Sequence, residues 1–209
     1  MGIRIPRLYA IIDPAQVGGS TLPAVSQTLL SAGVKLIQYR DKSASSRELY
    51  ENSRQILQRV RHAQGVFLVN DRADIARVVD ADGVHVGQED LPMDLARRVI
   101  GQGKWLGCST HTISQVMAAD QSTADYIAFG PIFPTQSKAG PDPLVGLEGL
   151  GEARKATTKP LVAIGGITRQ NVRSVIEAGA DGVAVIHDLL QAPDLAARVQ
   201  EFLQVLGDL

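Results

Sequence analysis

Two aspartates lie in the polar segments that end two apolar runs of the stretch GVFLVNDRADIARVVDADGVHVGQED (65–90). The apolar run Val66–Val69 stops at Asn70-Asp71-Arg72, and the run Gly83–Val86 stops at Gly87-Gln88-Glu89-Asp90. A strand buried on both faces is apolar throughout, so polar residues bunched after it sit on the rim of the sheet. If the two runs are neighbouring parallel strands, Asp71 and Asp90 reach one rim and form a site for a hard divalent cation. Mg2+ suits one or two carboxylates completed by phosphate oxygens. Spacing alone leaves a second reading open, in which Asn70-Asp71-Arg72 caps the next helix and Gln88-Glu89-Asp90 is a solvated turn.

Counter-charges lie upstream. Arg40 and Lys42 alternate along the extended segment Tyr39-Arg40-Asp41-Lys42, so both can face one anion, Lys as a point charge and Arg as a planar fork. Such a pair on its own is more often a solvated face; opposite two carboxylates it suits a polyphosphate and its metal. Gly165-Gly166 stands between an apolar run and a helical segment. There it would let backbone approach a phosphate beside a helix N-terminus, although Gly-Gly also marks plain tight turns. The connection Pro131–Gly146 carries Thr135, Ser137 and Lys138 between prolines. Connections this long inside a compact domain usually have a function, and a lid or binding loop is expected.

The elements that must carry these residues follow a regular alternation. Strands are expected at 8–12, 34–38, 66–69, 83–86, 104–108, 125–130, 160–164 and 182–186. Helices are expected at 21–32, 46–63, about 92–100, 113–119, 147–155, 169–178 and 195–206, with a short one after Arg72. Eight buried strands, each followed by a helix at a spacing of roughly 25 residues, give an α/β chain folded as a (β/α)8 TIM barrel. A doubly wound open sheet is the competing arrangement. No Pro/Gly/Ser-rich linker interrupts the chain, so a single domain over 1–209 is expected. Ala81-Asp82-Gly83-Val84 recurs as Ala180-Asp181-Gly182-Val183, which suggests two related half-barrels.

The C-terminal ends of barrel strands form the active site. They gather Gln38, Arg40, Lys42, Asn70, Asp71, Asp90, Ser109, Thr135, Ser137, Lys138, Gly165, Gly166 and His187. Other chemistry-bearing residues have blander readings. His85, between two valines, reads as a packed or rim-facing core residue, and Cys108 as a small buried hydrophobe. His62 is expected at the surface and Trp105 under the helix layer; His111 either reaches the site or caps a helix. The bulk composition agrees with a small-molecule enzyme. Hydrophobic residues make up 44% of 209, the net charge is −1 and there is one cysteine. That excludes a basic nucleic-acid footprint and an intrachain disulfide. No run reaches a membrane span, and the N-terminal MGIRIPRLYAIID has no signal-peptide core. A cytoplasmic location with small-molecule partners, no nucleic acid and no membrane is expected; a homo-oligomer is left open.

The segments IQYRDK (37–42), LVNDRADIA (68–76), GVHVGQEDLP (83–92), GCSTHT (107–112), ADYIAFGPIFPTQSK (124–138), GLEGL (146–150) and VAIGGI (162–167) resemble, in order, the thiamine phosphate synthase family. The resemblance covers nearly the whole chain. It implies a transferase that joins 4-amino-2-methyl-5-hydroxymethylpyrimidine diphosphate to thiazole phosphate with Mg2+, releasing pyrophosphate. It also implies a dissociative mechanism that needs little acid–base machinery. By resemblance Gln38, Arg40, Lys42, Asn70, Ser109 and Lys138 hold the pyrimidine diphosphate, with Arg40, Lys42, Ser109 and Lys138 acting in catalysis. Tyr39 and Asp41 belong to the same substrate segment. Asp71 and Asp90 hold Mg2+. Thr135, Gln136, Ser137, Gly165, Gly166, Ile186 and His187 serve the thiazole phosphate. Ser137 stands where threonine is usual, and His187 where serine is usual. A histidine contact would tighten phosphate binding as pH falls from about 8 to about 6. Two alternatives are a thiazole tautomerase on the same barrel and a non-catalytic phosphate-ligand barrel.

Overall fold

The computed structural model describes residues 3–135 and 143–207. Among them run β1 (Leu8–Ile12), α1 (Leu22–Ser31), β2 (Leu36–Tyr39), α2 (Ser46–His62), β3 (Val66–Asn70), α3 (Ala73–Val79), β4 (Gly83–Val86), α4 (Met93–Ile100) and β5 (Trp105–Thr110). There follow α5 (Ile113–Asp120), β6 (Tyr126–Phe129), α6 (Gly146–Ala156), β7 (Leu161–Ile164), α7 (Val172–Glu177), β8 (Gly182–Val185), α8 (His187–Leu190) and α9 (Leu195–Leu206). All strand pairs are parallel, and β8 closes on β1 through Leu8↔Val183, Tyr9↔Ala184 and Ala10↔Val185. That closure excludes the open doubly wound sheet. No helix among the described residues is long and apolar enough to cross a membrane.

Each strand buries two faces. Leu8, Ala10 and Ile12 of β1 join the large core between barrel and helices, while Tyr9 and Ile11 point into the barrel. Helices supply the outer wall for local reasons that are visible in the sequence. α2 starts with a capping box in which Ser45 and Glu48 satisfy each other's backbone N–H groups. It buries Leu49, Ile56, Leu57 and Val60 on one stripe and ends with Arg59, Arg61 and His62, which suit the negative end of the helix.

Three expectations change. The helix foreseen over 169–178 starts only at Val172. Asn171 Oδ1 accepts from the Thr168 N–H at 2.8 Å and its Nδ2 donates to the Gly166 carbonyl at 3.0 Å, which ties the preceding residues into a turn. Trp105 packs against the barrel interior and not under the helices, because its register with Gly83 gives it inward parity. β5 runs on to Thr110, so Ser109 lies within the strand and not after it.

Candidate active site

The carboxylates foreseen at one rim do meet there. Asp71 follows β3 with φ of 61°, and its N–H bonds the His85 carbonyl at 2.7 Å, extending the β3–β4 ladder by one residue. Asp90 folds back so that Oδ2 accepts from the Gly87 N–H at 2.7 Å. Gln88 pins this turn to β5 by donating to the Ser109 carbonyl at 2.6 Å. The side chains of Asp71 and Asp90 hydrogen-bond each other, and Lys42 pairs with Asp71. Burial, then Asp90, pushes the Asp71 carboxyl up to about 6, against the pull of Lys42. Burial also pushes Asp90 upward, but hydrogen bonds from Asp71 and the Gly87 N–H outweigh it and hold Asp90 below the usual carboxylate range. Two carboxylates this close share a proton because they cannot comfortably carry two charges. A divalent cation relieves the same repulsion.

The donor set therefore fits Mg2+, with a qualification of number. Among the described residues no group of three or more His, Cys, Asp or Glu could hold a metal. Two carboxylates leave several positions for water and phosphate oxygens, the pattern Mg2+ prefers.

Arg40 reaches the rim from β2, its backbone N–H bonded to the Ile12 carbonyl at 2.9 Å. Its guanidinium forms an ion pair with Asp13, which is buried at the end of β1. Tyr39 and Asp41 turn elsewhere. Tyr39 has outward parity and its hydroxyl accepts from Asn52 Nδ2 of α2 at 2.9 Å. Asp41 Oδ1 accepts from Ser43 and Ala44 N–H groups at 3.0 Å and organises the turn into α2. Their side chains thus hold the segment that carries Arg40 and Lys42, and do not join the cluster.

Below the carboxylates, a file of polar side chains crosses an otherwise apolar barrel interior. Gln38 Nε2 donates to the Tyr9 hydroxyl, and the Tyr9 and Tyr126 oxygens are 3.1 Å apart. His85 Nδ1 lies 2.8 Å from Tyr126 Oη and its Nε2 lies 2.9 Å from Ser109 Oγ. Burial drives the imidazole down to about 4, against the pull of Asp90, and drives both phenols above their usual range. His85 is therefore neutral and each phenol keeps its proton. Gly107 makes room: a Cβ there would overlap the Tyr126 ring. Asn70 ends β3 opposite His85 in the ladder.

On the other side, Gly165 and Gly166 have φ of 99° and 62°, and a Cβ on either would strike residues 131–134. The chain leaving β6 lies directly across them, with Ile132 N–H on the Ile164 carbonyl at 2.9 Å and Phe133 N–H on the Gly165 carbonyl at 3.0 Å. These glycines thus serve a backbone crossing as well as any phosphate. His111 Nδ1 donates to the Gly130 carbonyl at 2.6 Å and so braces the end of β6. Ile186 precedes α8, and His187 is exposed with Nδ1 3.1 Å from Gln16 Oε1. Thr135 closes the described part of the loop; Gln136, Ser137 and Lys138 lie outside the described residues.

A family model described as thiamine monophosphate synthase matches residues 8–189. The thiamine-phosphate synthase of Koribacter versatilis is 51% identical over 209 residues, 98% of each chain. That of Chloroflexus aurantiacus is 42% identical over 93% of this chain and 90% of its own. The chain belongs to the thiamine monophosphate synthase family. The solved thiamine phosphate pyrophosphorylase from Pyrococcus furiosus superposes with a TM-score of 0.87 at 34% identity, covering 97% of this chain and 96% of that one. Within this synthase barrel, Asp13, Tyr9, Tyr126, His85 and Gln88 were not foreseen as part of the site. Asp13 had a local signal, an acid ending an apolar run. The tyrosines and His85 had none, because only strand parity turns them inward.

Proposed function

We propose that this protein is a thiamine-phosphate synthase in its own right, a transferase. It joins 4-amino-2-methyl-5-hydroxymethylpyrimidine diphosphate to thiazole phosphate and releases pyrophosphate. Family membership supports the reaction, and the observation that carries it is the Asp71–Asp90 pair facing Lys42, with Arg40 braced by Asp13 on the adjoining strand. A tautomerase or a passive phosphate barrel has no use for that opposition of charges, and the relatives described above carry the synthase name.

Asp71 and Asp90 would hold Mg2+, which when bound neutralises charge on the leaving diphosphate. Arg40 and Lys42 bind the diphosphate, and Asn70 and Ser109 add neutral hydrogen bonds. Lys138 completes the cationic set on the reading of its motif. Loss of the diphosphate leaves an electron-rich pyrimidine cation that the thiazole nitrogen captures, so the residues position and stabilise charge rather than move protons. A neutral His85 agrees with that division of labour. Thr135, Ser137, Gly166 and the backbone at Ile186–His187 take the thiazole phosphate. A cytoplasmic location belongs to the same reading. The test is thiamine phosphate and pyrophosphate formation from both substrates with and without Mg2+. Equal rates without the metal, or no thiamine phosphate at all, would overturn the reading.

A further inference from the structure

Five side chains form one hydrogen-bonded file through the barrel interior: Gln38, Tyr9, Tyr126, His85 and Ser109. Every internal member has a single proton to place, so the links fix one another. Tyr9 accepts from the Gln38 amide, so its own proton goes to Tyr126. Tyr126 then donates to His85 Nδ1, which must be bare. The one proton of the neutral ring sits on Nε2 and is donated to Ser109 Oγ. The serine proton is left free for the rim. Run backwards, with the Gln38 carbonyl on Tyr9, the file would place the ring proton on Nδ1 and spend the serine proton on Nε2. Ser109 would then offer only lone pairs. An anion accepts hydrogen bonds and donates none, so only the first direction serves a phosphate. Ser109 lies beside the turn that carries Asp90, its carbonyl accepting from Gln88, and it stands near the C-terminal end of β5, the end of the barrel that carries Asp71 and Asp90.

We propose that this file is a positioning relay of fixed direction, in which Tyr9, Tyr126 and His85 hold the Ser109 hydroxyl as a hydrogen-bond donor to the diphosphate. His85 and Tyr126 are positioning residues that act through Ser109. The proposal rests on the synthase reading for its ligand, while its direction rests on the Gln38 amide nitrogen that faces Tyr9, and the two are tested separately.

The direction is read by nitrogen-15 NMR of the ligand-free protein. The His85 ring should show a directly bonded proton on Nε2 and none on Nδ1. The signal is assigned by its loss in His85→Asn or, should that variant not fold, by its shift in Tyr126→Phe. The opposite tautomer overturns the proposal. The function is read by a cycle of Tyr126→Phe and Ser109→Ala. Tyr126→Phe removes one oxygen remote from the rim and should lower kcat about tenfold, the size of one hydrogen bond to a charged acceptor. The KM for thiazole phosphate should stay unchanged. In the Ser109→Ala background the same change should have no further effect. A normal kcat in Tyr126→Phe, or losses that multiply in the double variant, would mean that Tyr126 does not act through Ser109. Failure of the wild-type protein to make thiamine phosphate would sink the synthase reading alone, since the tautomer is measured without turnover.

Discussion

At the residue scale, the two rim carboxylates are shifted in opposite directions. Asp71 holds its proton to about 6 when folded, against about 4 in an unfolded chain. Folding therefore takes up a proton in that window. The stability this supplies is complete below about pH 4 and is lost as pH rises through about 6. Asp90, shifted the other way, favours the folded state above the ordinary carboxylate range. A metal binding both carboxylates competes with the Asp71 proton. Mg2+ is thus expected to raise the Tm more at pH 7.5 than at pH 5, and Asp71→Asn should remove that difference. A Tm response to Mg2+ that is the same at both pH values would count against a shared carboxylate site. Asp13 gives a second case. Asp13→Asn keeps the oxygen that accepts the Ala15 N–H but loses the charge facing Arg40. The KM for the pyrimidine diphosphate should rise about tenfold, as expected for a charged hydrogen bond, with little change in that for thiazole phosphate. Equal rises in both would point to general disorder of the rim. The aspartates were legible because each ends an apolar run. His85 was not, because Val84 and Val86 give it the look of core and its partner Tyr126 is far away in sequence.

At the element scale, strand parity decides which side chains reach the interior, and small residues decide what fits. The sequence places the strands within a few residues, since apolar runs closed by polar ones are unambiguous. It does not disclose that β5 carries Ser109 inside the ladder, or that Gly107 exists to admit a ring from β6. Gly107→Ala is expected to push the Tyr126 ring out of its seat. Overpacking of this kind costs about 1–3 kcal/mol, visible as a lower urea midpoint, and turnover should fall with it because the file to Ser109 is broken. Gly151 is the control. It lies within α6, and a Cβ there meets nothing closer than the Ala178 carbonyl at 3.8 Å. Gly151→Ala should raise stability by about 0.5–1 kcal/mol through helix propensity and leave turnover alone. Matching losses in the two variants would show that the barrel tolerates neither methyl group and that the Tyr126 seat is not special.

At the scale of the whole molecule, the two faces of the barrel divide the labour. The repeated Ala-Asp-Gly-Val, read from the sequence as a trace of half-barrels, has a nearer cause on the N-terminal face. Asp82, Asp125 and Asp181 each stand one residue before β4, β6 and β8. Their Oδ2 atoms accept, at 2.8 Å, from the N–H groups of Phe67, Leu106 and Leu161 on the preceding strands. The device recurs before β4, β6 and β8 but not before β2, where Lys35 precedes the strand, so it gives the repeated aspartate a local role in tying three odd strands to the even strands that follow them. Arginines from the helices lock two of these aspartates in place. Arg154 pairs with Asp181, and the buried Arg97 joins Asp125 to the carbonyls of Lys104 and Thr123. All of this lies at the end of the strands opposite Asp71 and Asp90. Residues on that face of a TIM barrel serve stability, and residues on the other face serve chemistry. Arg97→Ala removes the centre of one lock and takes a donor from the carbonyls of Gly101, Lys104 and Thr123 and the charged partner from Asp125. It should cost about 2–4 kcal/mol of unfolding free energy, measured by urea denaturation with an unchanged slope. Below its transition the variant should keep its kcat and both KM values. A loss of turnover in protein that circular dichroism shows to be folded would mean that the floor and the rim are coupled through the strands, and that the division of faces does not hold for this barrel.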